Sequence, residues 1–487
     1  MRYISTRDLL LSTGSNAIIS GIGADGGLYV PESFPQFSIE DIEELSGLSY
    51  AEKAAKIINT YLPEYSVAEL EGFTRAAYGD ERFTDGVAPV KRLNDNLAVL
   101  ELFHGPTCAF KDFALQMLPS LLSSALKKNN DNRTPLVLAA TSGDTGKAAL
   151  DGFYNEGNSK ICVFYPHGGT SEVQKKQMTT QNGENVNVFA ISGNFDDAQR
   201  GVKNLFADRD FLESLDKAGY FLTSANSINW GRLVSQIVYY FSAYCDMVNR
   251  EMLEMGEKLN IVVPTGNFGN ILAGFMAKSS GLPIGKIVCA SNANNILTDF
   301  INTGVYDSKR KFIKTASPSM DILISSNLER LLYLLGSSTK ELMEDLKTSG
   351  RYEVSAGMLL KLQANFQAGF ATDTESLSAI KYAYDKFSYL MDTHTAVAFK
   401  VFSDLNISGK SIIVSTASPY KFAADVLGAI SNEDLDDFSA IKQLKSITGI
   451  PAPLSLTALE NKEERFKAVI GKDSKQMKEA VLNWLKL

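Results

Sequence analysis

The sequence predicts an α/β fold assembled from parallel βαβ units. Short β-rich apolar runs recur between residues 96 and 418, and amphipathic helical stretches separate them. Several of these runs end in turns rich in Gly, Ser or Thr that lead into a helix. Parallel α/β sheets place their sites at such strand ends.

Residues 1 to about 95 form a first unit. It opens with a loop dense in Gly and Pro, GIGADGGLYVPESFP, and continues into helical patterns such as SIEDIEELSGLSYAEKAAKIINTYL. NLAVLELF (96–103) reads as a strand before a helix from about Lys111. Pro119 should kink or restart that helix, because proline lacks the amide a helix interior needs. TPLVLAAT (134–141) precedes a helix from about Thr145, and KICVFY (160–165) and NVNVFAIS (185–192) each lead into a helical stretch. NIVVPTG (260–266) runs into ILAGFMAKSSG, followed by KIVCAS (286–291) and, late in the chain, SIIVSTAS (411–418). The charged helical tail SKQMKEAVLNWLKL is expected to cover a domain face. No fixed-period repeat or low-complexity tract interrupts this order.

At 487 residues the chain is long enough for about three domain-sized units. It buries enough apolar surface to need no disulfide or metal. A formal charge of −8 argues against nucleic acid or an anionic membrane as the main partner. Four dispersed cysteines, Cys108, Cys162, Cys245 and Cys289, form no C-x-x-C pair and fit a reducing compartment. His104, His167 and His394 share no metal-ligand spacing, so no metal is expected. The opening MRYISTRDLL lacks the apolar core of a signal peptide, and no 18-residue apolar run occurs. The expectation is a cytoplasmic, enzyme-sized protein.

Four loops carry chemistry. In TGNFGN (265–270), Gly266 and Gly269 bracket Asn267 and Phe268 between a strand and a helix. Glycines let successive amides face one point, and the helix start adds positive potential, which suits a phosphate; a plain tight turn is the competing reading. TSGDTGKAA (141–149) superficially resembles a P-loop, but Thr141 stands where the first glycine belongs and Ala148 replaces the magnesium-binding hydroxyl. What remains is a helix start that suits a carboxylate, with Asp144 read as an N-cap or as part of the site. In HGPTCAFKD (104–112), Lys111 lies in an apolar context at a helix start. Desolvation and the helix end both disfavour its ammonium, making it a Schiff-base candidate against the alternative of a solvated lysine. His104 is read as a hydrogen-bonded turn residue. In STASPYKF (415–422), Ser415 and Thr416 offer neutral hydroxyls at a strand end, able to face a pyridine nitrogen or merely to cap the loop.

Together these stretches resemble the threonine synthase family of pyridoxal-phosphate enzymes, which share the tryptophan-synthase β-subunit-like fold, fold type II. The resemblance runs almost end to end through YISTR, GADGGLYVPE, ELFHGPTCAFKDFALQ, SGDTGKAA, NSINWGRLVSQIVYYF, VPTGNFGNILAGFMAKSSGLP, SPSMDILISSNLERLL, HTAVA and STASPYKF. It implies two open, mostly parallel twisted sheets flanked by helices, plus an N-terminal mainly helical unit. The implied division is 1–95 for the N-terminal domain, 96–130 with 226–487 for a large cofactor domain, and 131–225 for a smaller mobile one. Pyridoxal 5′-phosphate is the implied cofactor, held covalently by Lys111. Gly266, Asn267, Phe268, Gly269 and Asn270 match the loop around its phosphate, and Thr416 the hydroxyl beside its ring nitrogen. Ser142, Gly143, Asp144 and Thr145 fall in the substrate-carboxylate loop, while Asn226, Ser227, Asn229 and Arg232 resemble positions around a substrate phosphate.

The implied reaction turns O-phospho-L-homoserine and water into L-threonine and phosphate, in a monomer or homodimer. Asn270 stands where an aspartate is frequent, Ser418 replaces a histidine, and Lys147 occupies a usually small position. None of these touches Lys111. The alternatives are a phospho-lyase or a serine or threonine dehydratase on the same fold and, from another class, a nucleotide-binding regulatory protein.

Overall fold

The structure, a computed structural model, describes residues 1–141 and 143–487. Its β-branched apolar runs build two separate sheets. The larger has six strands in the order Phe366–Phe370, Ile284–Ser291, Leu259–Pro264, Ser411–Ser415, Leu97–Glu101 and Val90–Arg92. The first five are mutually parallel and the last is an antiparallel edge. The smaller sheet is parallel throughout, in the order Val469–Ile470, Val186–Ile191, Lys160–Pro166, Thr134–Ala140 and Tyr220–Ser224. Its strands Lys160–Pro166 and Thr134–Ala140 are buried along nearly their whole length, as expected for a parallel sheet covered on both faces.

The N-terminal region is mainly helical. Helices Ile39–Ser46 and Tyr50–Tyr61 start at Ser38 and Ser49, each closed by a reciprocal capping box. Their apolar faces, with Ile42, Ile57, Ile58 and Tyr61, share one core with Trp230, Val234 and Val238 of the long helix Trp230–Asn249. A small antiparallel sheet of Leu11–Ser12, Tyr3–Ser5 and Tyr29–Pro31 completes the region.

The predicted boundaries need two corrections. Val90–Arg92 lies inside 1–95 yet pairs with Leu97–Glu101, so it extends the larger sheet. The C-terminal residues assigned to the large domain join the smaller sheet instead. Val469–Ile470 pairs with Val186–Ile191, and Met477 and Val481 of helix Ser474–Leu485 pack with Leu138, Phe164 and Ile191. Spaced four apart, these two side chains form one apolar stripe, and the open sheet face supplies the partner.

Pro119 acts as expected. One helix runs Lys111–Leu115, and a second begins at Leu118 with the proline in its first turn, where a missing amide costs nothing. Helix Asp144–Gly152 approaches the first of these so closely that a Cβ on Gly152 would lie 1.9 Å from the Leu115 carbonyl oxygen. Gly152→Ala is therefore expected to destabilise the protein by about 3 kcal/mol, at the upper end of overpacking costs, read as a fall in the thermal unfolding midpoint. Among the described residues no helix is long and apolar enough to cross a membrane.

Candidate active site

Leu259–Pro264, Ser411–Ser415 and Leu97–Glu101 are parallel neighbours, so the loops leaving them open at one edge of the larger sheet. The Lys111 and Thr416 loops are stitched together there. Leu102 N donates to Ser415 O at 2.9 Å, Phe110 N to Thr416 O at 2.9 Å and Ser418 N to Cys108 O at 3.0 Å, while Ala109 and Ala417 form an isolated antiparallel bridge. Asp112 clamps the same loop from behind, accepting from Thr107 N at 2.9 Å and Thr107 Oγ1 at 2.6 Å.

Lys111 is the first residue of its helix, and its Nζ lies 3.3 Å from Asp144 Oδ2 and 4.8 Å from the Phe110 ring centre. Burial lowers its pKa; Asp144 works against that shift, and the charges of Lys421 and Arg232 reinforce it. The shift moves Lys111 toward the neutral amine that a Schiff-base nucleophile or base needs, while the Asp144 carboxylate beside it pulls the other way.

The glycine loop is built to present amides. Phe268 adopts left-handed backbone, φ 61°, and Gly269 opens helix Gly269–Ser279 without a side-chain cap. Ser325 Oγ donates to Gly266 O at 2.9 Å, and Asn327 N and Nδ2 donate to Asn267 O at 3.2 and 3.0 Å. Those bonds fix the loop by its carbonyls. Among the described residues, the amides of Gly266, Asn267, Phe268 and Gly269 have no acceptor, an arrangement able to hold a phosphate at a helix start. The Phe268 ring packs near Phe366, so only its main chain faces this function. Asn270 accepts from the Tyr239 and Tyr240 hydroxyls at 2.6 and 2.7 Å, leaving its buried Nδ2 without a partner. Thr416 is buried at the neighbouring strand end, and its hydroxyl makes no bond to a described residue.

Gly143, Asp144 and Thr145 come from the smaller sheet, at the start of the helix that follows Thr134–Ala140; Ser142 lies outside the described residues. Thr141, and not Asp144, caps the helix: its Oγ1 accepts from Gly143 N and Gly146 N, both at 2.9 Å. Asp144 is instead an ion-pair partner, 2.7 Å from Lys421 Nζ and 3.3 Å from Lys111 Nζ. Burial opposes its charge, but the two lysines outweigh it and hold the carboxyl well below the usual range. The P-loop alternative also fails here. Lys147 is not solvated but pairs with Asp151 at 3.1 Å, and the Gly143 and Gly146 amides are already used.

Asn226, Ser227, Asn229 and Arg232 surround the start of helix Trp230–Asn249. Asn229 receives a capping role in place of the expected substrate contact. Its Oδ1 accepts from Gly231 N, and its Nδ2 donates to Ile18 O and Ser224 O. Ser227 faces the glycine loop, with its Cβ 3.7 Å from where a Cβ on Gly269 would sit. Arg232 is 3% exposed, donates from Nη1 to Ala225 O at 2.9 Å, and has a buried Nε with no partner. No carboxylate of a described residue pairs with it, and burial pulls its pKa down to about 10. A buried guanidinium with an unused donor is a site for an anion.

Sequence reasoning passed over Lys421, which is fully buried and donates to Thr107 O at 2.9 Å as well as to Asp144. Its signal was the one that marked Lys111, a lysine in an apolar stretch beside a strand-end loop. It also passed over Arg330, another buried guanidinium without a carboxylate partner. Arg330 donates to Tyr29 O, Ile228 O and Asn327 Oδ1, and so ties the 226–229 turn to the residue that holds the glycine loop. His394 accepts from Ser319 N at 3.1 Å through Nε2 and meets Asp392 at 2.7 Å through Nδ1.

A buried lysine, a nest of unclaimed amides and a strand-end hydroxyl, all at one sheet edge, fit a phosphorylated aldehyde cofactor. Residues 86–418 match the family described as pyridoxal-phosphate dependent enzyme, so fold and site define a member of that class. Residues 2–78 match the threonine synthase N terminus and 395–481 the threonine synthase C-terminal family. Threonine synthase of Pseudomonas aeruginosa is 40% identical over 87% of this chain and 89% of its own length, and that of Saccharomyces cerevisiae 35% identical over 96% and 98%. The crystal structure of pyridoxal-phosphate-bound threonine synthase from Brucella melitensis superposes with a TM-score of 0.88 at 36% identity, covering 100% of both chains. The chain belongs to the threonine synthase family. It also matches human threonine synthase-like 1 at 39% identity over 93% of this chain, but spans only 63% of that protein, and 66% of its Pongo abelii counterpart.

The glycine loop is sensitive to one atom. A Cβ on Gly266 would stand 2.6 Å from Ser319 O. Gly266→Ala should push that backbone aside at about 1–3 kcal/mol, weakening cofactor retention roughly tenfold or more in dialysis followed by absorbance.

Proposed function

We propose that this protein converts O-phospho-L-homoserine and water into L-threonine and inorganic phosphate, by γ-elimination followed by β-addition of water. The observation that carries this reading is Arg232, buried, without a carboxylate partner and close enough to lower the pKa of Lys111. A planar guanidinium can grip two oxygens of a departing phosphate at once, a role that a dehydratase acting on an unphosphorylated hydroxy amino acid does not need. Ser227, beside the glycine loop, and Asn226 would complete the substrate-phosphate pocket. Gly143, Asp144 and Thr145, with Ser142, would receive the substrate carboxylate; among the described residues the helix-start amides of Asp144 and Thr145 have no acceptor, which favours an anion there.

Lys111 would hold the cofactor, the Gly266–Asn270 loop its phosphate and Thr416 its ring nitrogen. When bound, the cofactor supplies an electron sink for carbanion charge. Lys111 Nζ, held in a dry site, takes and returns protons at the substrate's Cα and Cβ. The net acidic chain offers no long-range attraction for a phosphorylated substrate, so affinity must come from these local donors. A cytoplasmic setting goes with this function, since all four cysteines are buried and unpaired.

The test is incubation with O-phospho-L-homoserine, assaying threonine and free phosphate in the same tube. Equimolar threonine and phosphate support the reading; phosphate with a keto acid in place of threonine would assign a phospho-lyase.

A further inference from the structure

Asp144 carries a negative charge into a loop suited to an anion, and its surroundings explain how. Its Oδ1 accepts from Lys421 Nζ at 2.7 Å and Gln174 Nε2 at 2.9 Å; its Oδ2 accepts from Lys111 Nζ and Ser319 Oγ, both at 3.3 Å. Asp144 and Gln174 belong to helices of the smaller sheet, whereas Lys421, Lys111 and Ser319 stand on the side of the larger one. The carboxylate therefore links segments of the two sheets. Lys421 is 0% exposed, and its other bond, to Thr107 O, enters the very loop that carries Lys111.

Of the two ammonium groups, only one can be a standing partner. On the function proposed above, on which this inference rests, the Lys111 amine is engaged by the cofactor and freed again in each turnover. Its charge on Asp144 comes and goes. Lys421 has no such second task.

We propose that Lys421 is a positioning residue for the reaction, the permanent counter-charge that docks Asp144 and the following helix start over Lys111. It keeps the carboxylate-binding amides of Asp144 and Thr145 in place while Lys111 changes state. Without it, Asp144 is left as an unpaired buried charge whenever Lys111 is engaged, and the smaller sheet loses its ionic hold on the larger one.

The experiment is a cycle of Lys421→Met, Asp144→Asn and the double variant, measured by steady-state kinetics, cofactor absorbance and small-angle X-ray scattering. Each single change is expected to raise KM by about tenfold or more, with kcat reduced less and the cofactor still bound at Lys111. The radius of gyration should rise as the two sheets move apart. In the double variant the changes in KM and radius should fall well short of the two single changes combined, because the Asp144–Lys421 bond is shared between them. Effects that multiply, or a Lys421→Met protein with wild-type KM and radius, would overturn the proposal. If Lys421→Met does not fold, the double variant, which leaves no unpaired charge, is compared with Asp144→Asn instead. The scattering comparison needs no substrate, so a wild-type protein inactive on O-phospho-L-homoserine would sink the proposed function while leaving the docking role readable.

Discussion

Lys111→Ala is expected to abolish both the covalently held cofactor and turnover. Lys111 Nζ is the amine that burial depresses beside Asp144, on a loop bonded to that of Thr416. Proton transfer by a positioned side chain alone contributes about 10²–10⁴-fold, and the loss of covalent attachment adds to that. Activity should therefore fall by at least about 10³-fold. The protein should lose its cofactor absorbance and yield no borohydride-fixed adduct, while keeping its fold, because alanine is a better helix former than lysine. Fixed adduct on any other residue would remove Lys111 from the chemistry.

Arg232→Ala should separate substrate binding from cofactor binding. Arg232 spends one donor on Ala225 O and leaves Nε unpaired. Truncating a buried charge that meets an oppositely charged group costs about 2–5 kcal/mol, so KM for O-phospho-L-homoserine should rise roughly 30-fold or more. The cofactor titration should move by less than about threefold, because its phosphate has its own nest in the amides of Gly266 to Gly269. The folded protein should gain stability or hold it, since a desolvated guanidinium without a carboxylate partner is removed. Equal losses of substrate and cofactor affinity would make Arg232 a general scaffold element.

Much of this architecture was legible in local pattern. Lys111, the Gly266–Asn270 turn and Thr416 each follow a β-rich run, and the parallel ordering of those runs is what sets them at one sheet edge. Strands Tyr220–Ser224 and Phe366–Phe370 were not anticipated, being five residues long with mixed burial and no clean alternation. Asn229 looked like a substrate ligand because its neighbours do. Its side chain is consumed by Gly231 N, Ile18 O and Ser224 O, partners that include a residue 211 positions away.

The sequence by itself determined the parallel α/β framework and marked the candidate lysine and glycine turn, since each is written in a short local run of residues. Tertiary structure alone decided the pairing of Asp144 with Lys421, the isolation of Arg232 and the return of the C-terminal helix to the smaller sheet. Those features arise from burial and charge neutralisation between segments remote in the chain, and desolvation acts on a group only once the whole fold has closed around it.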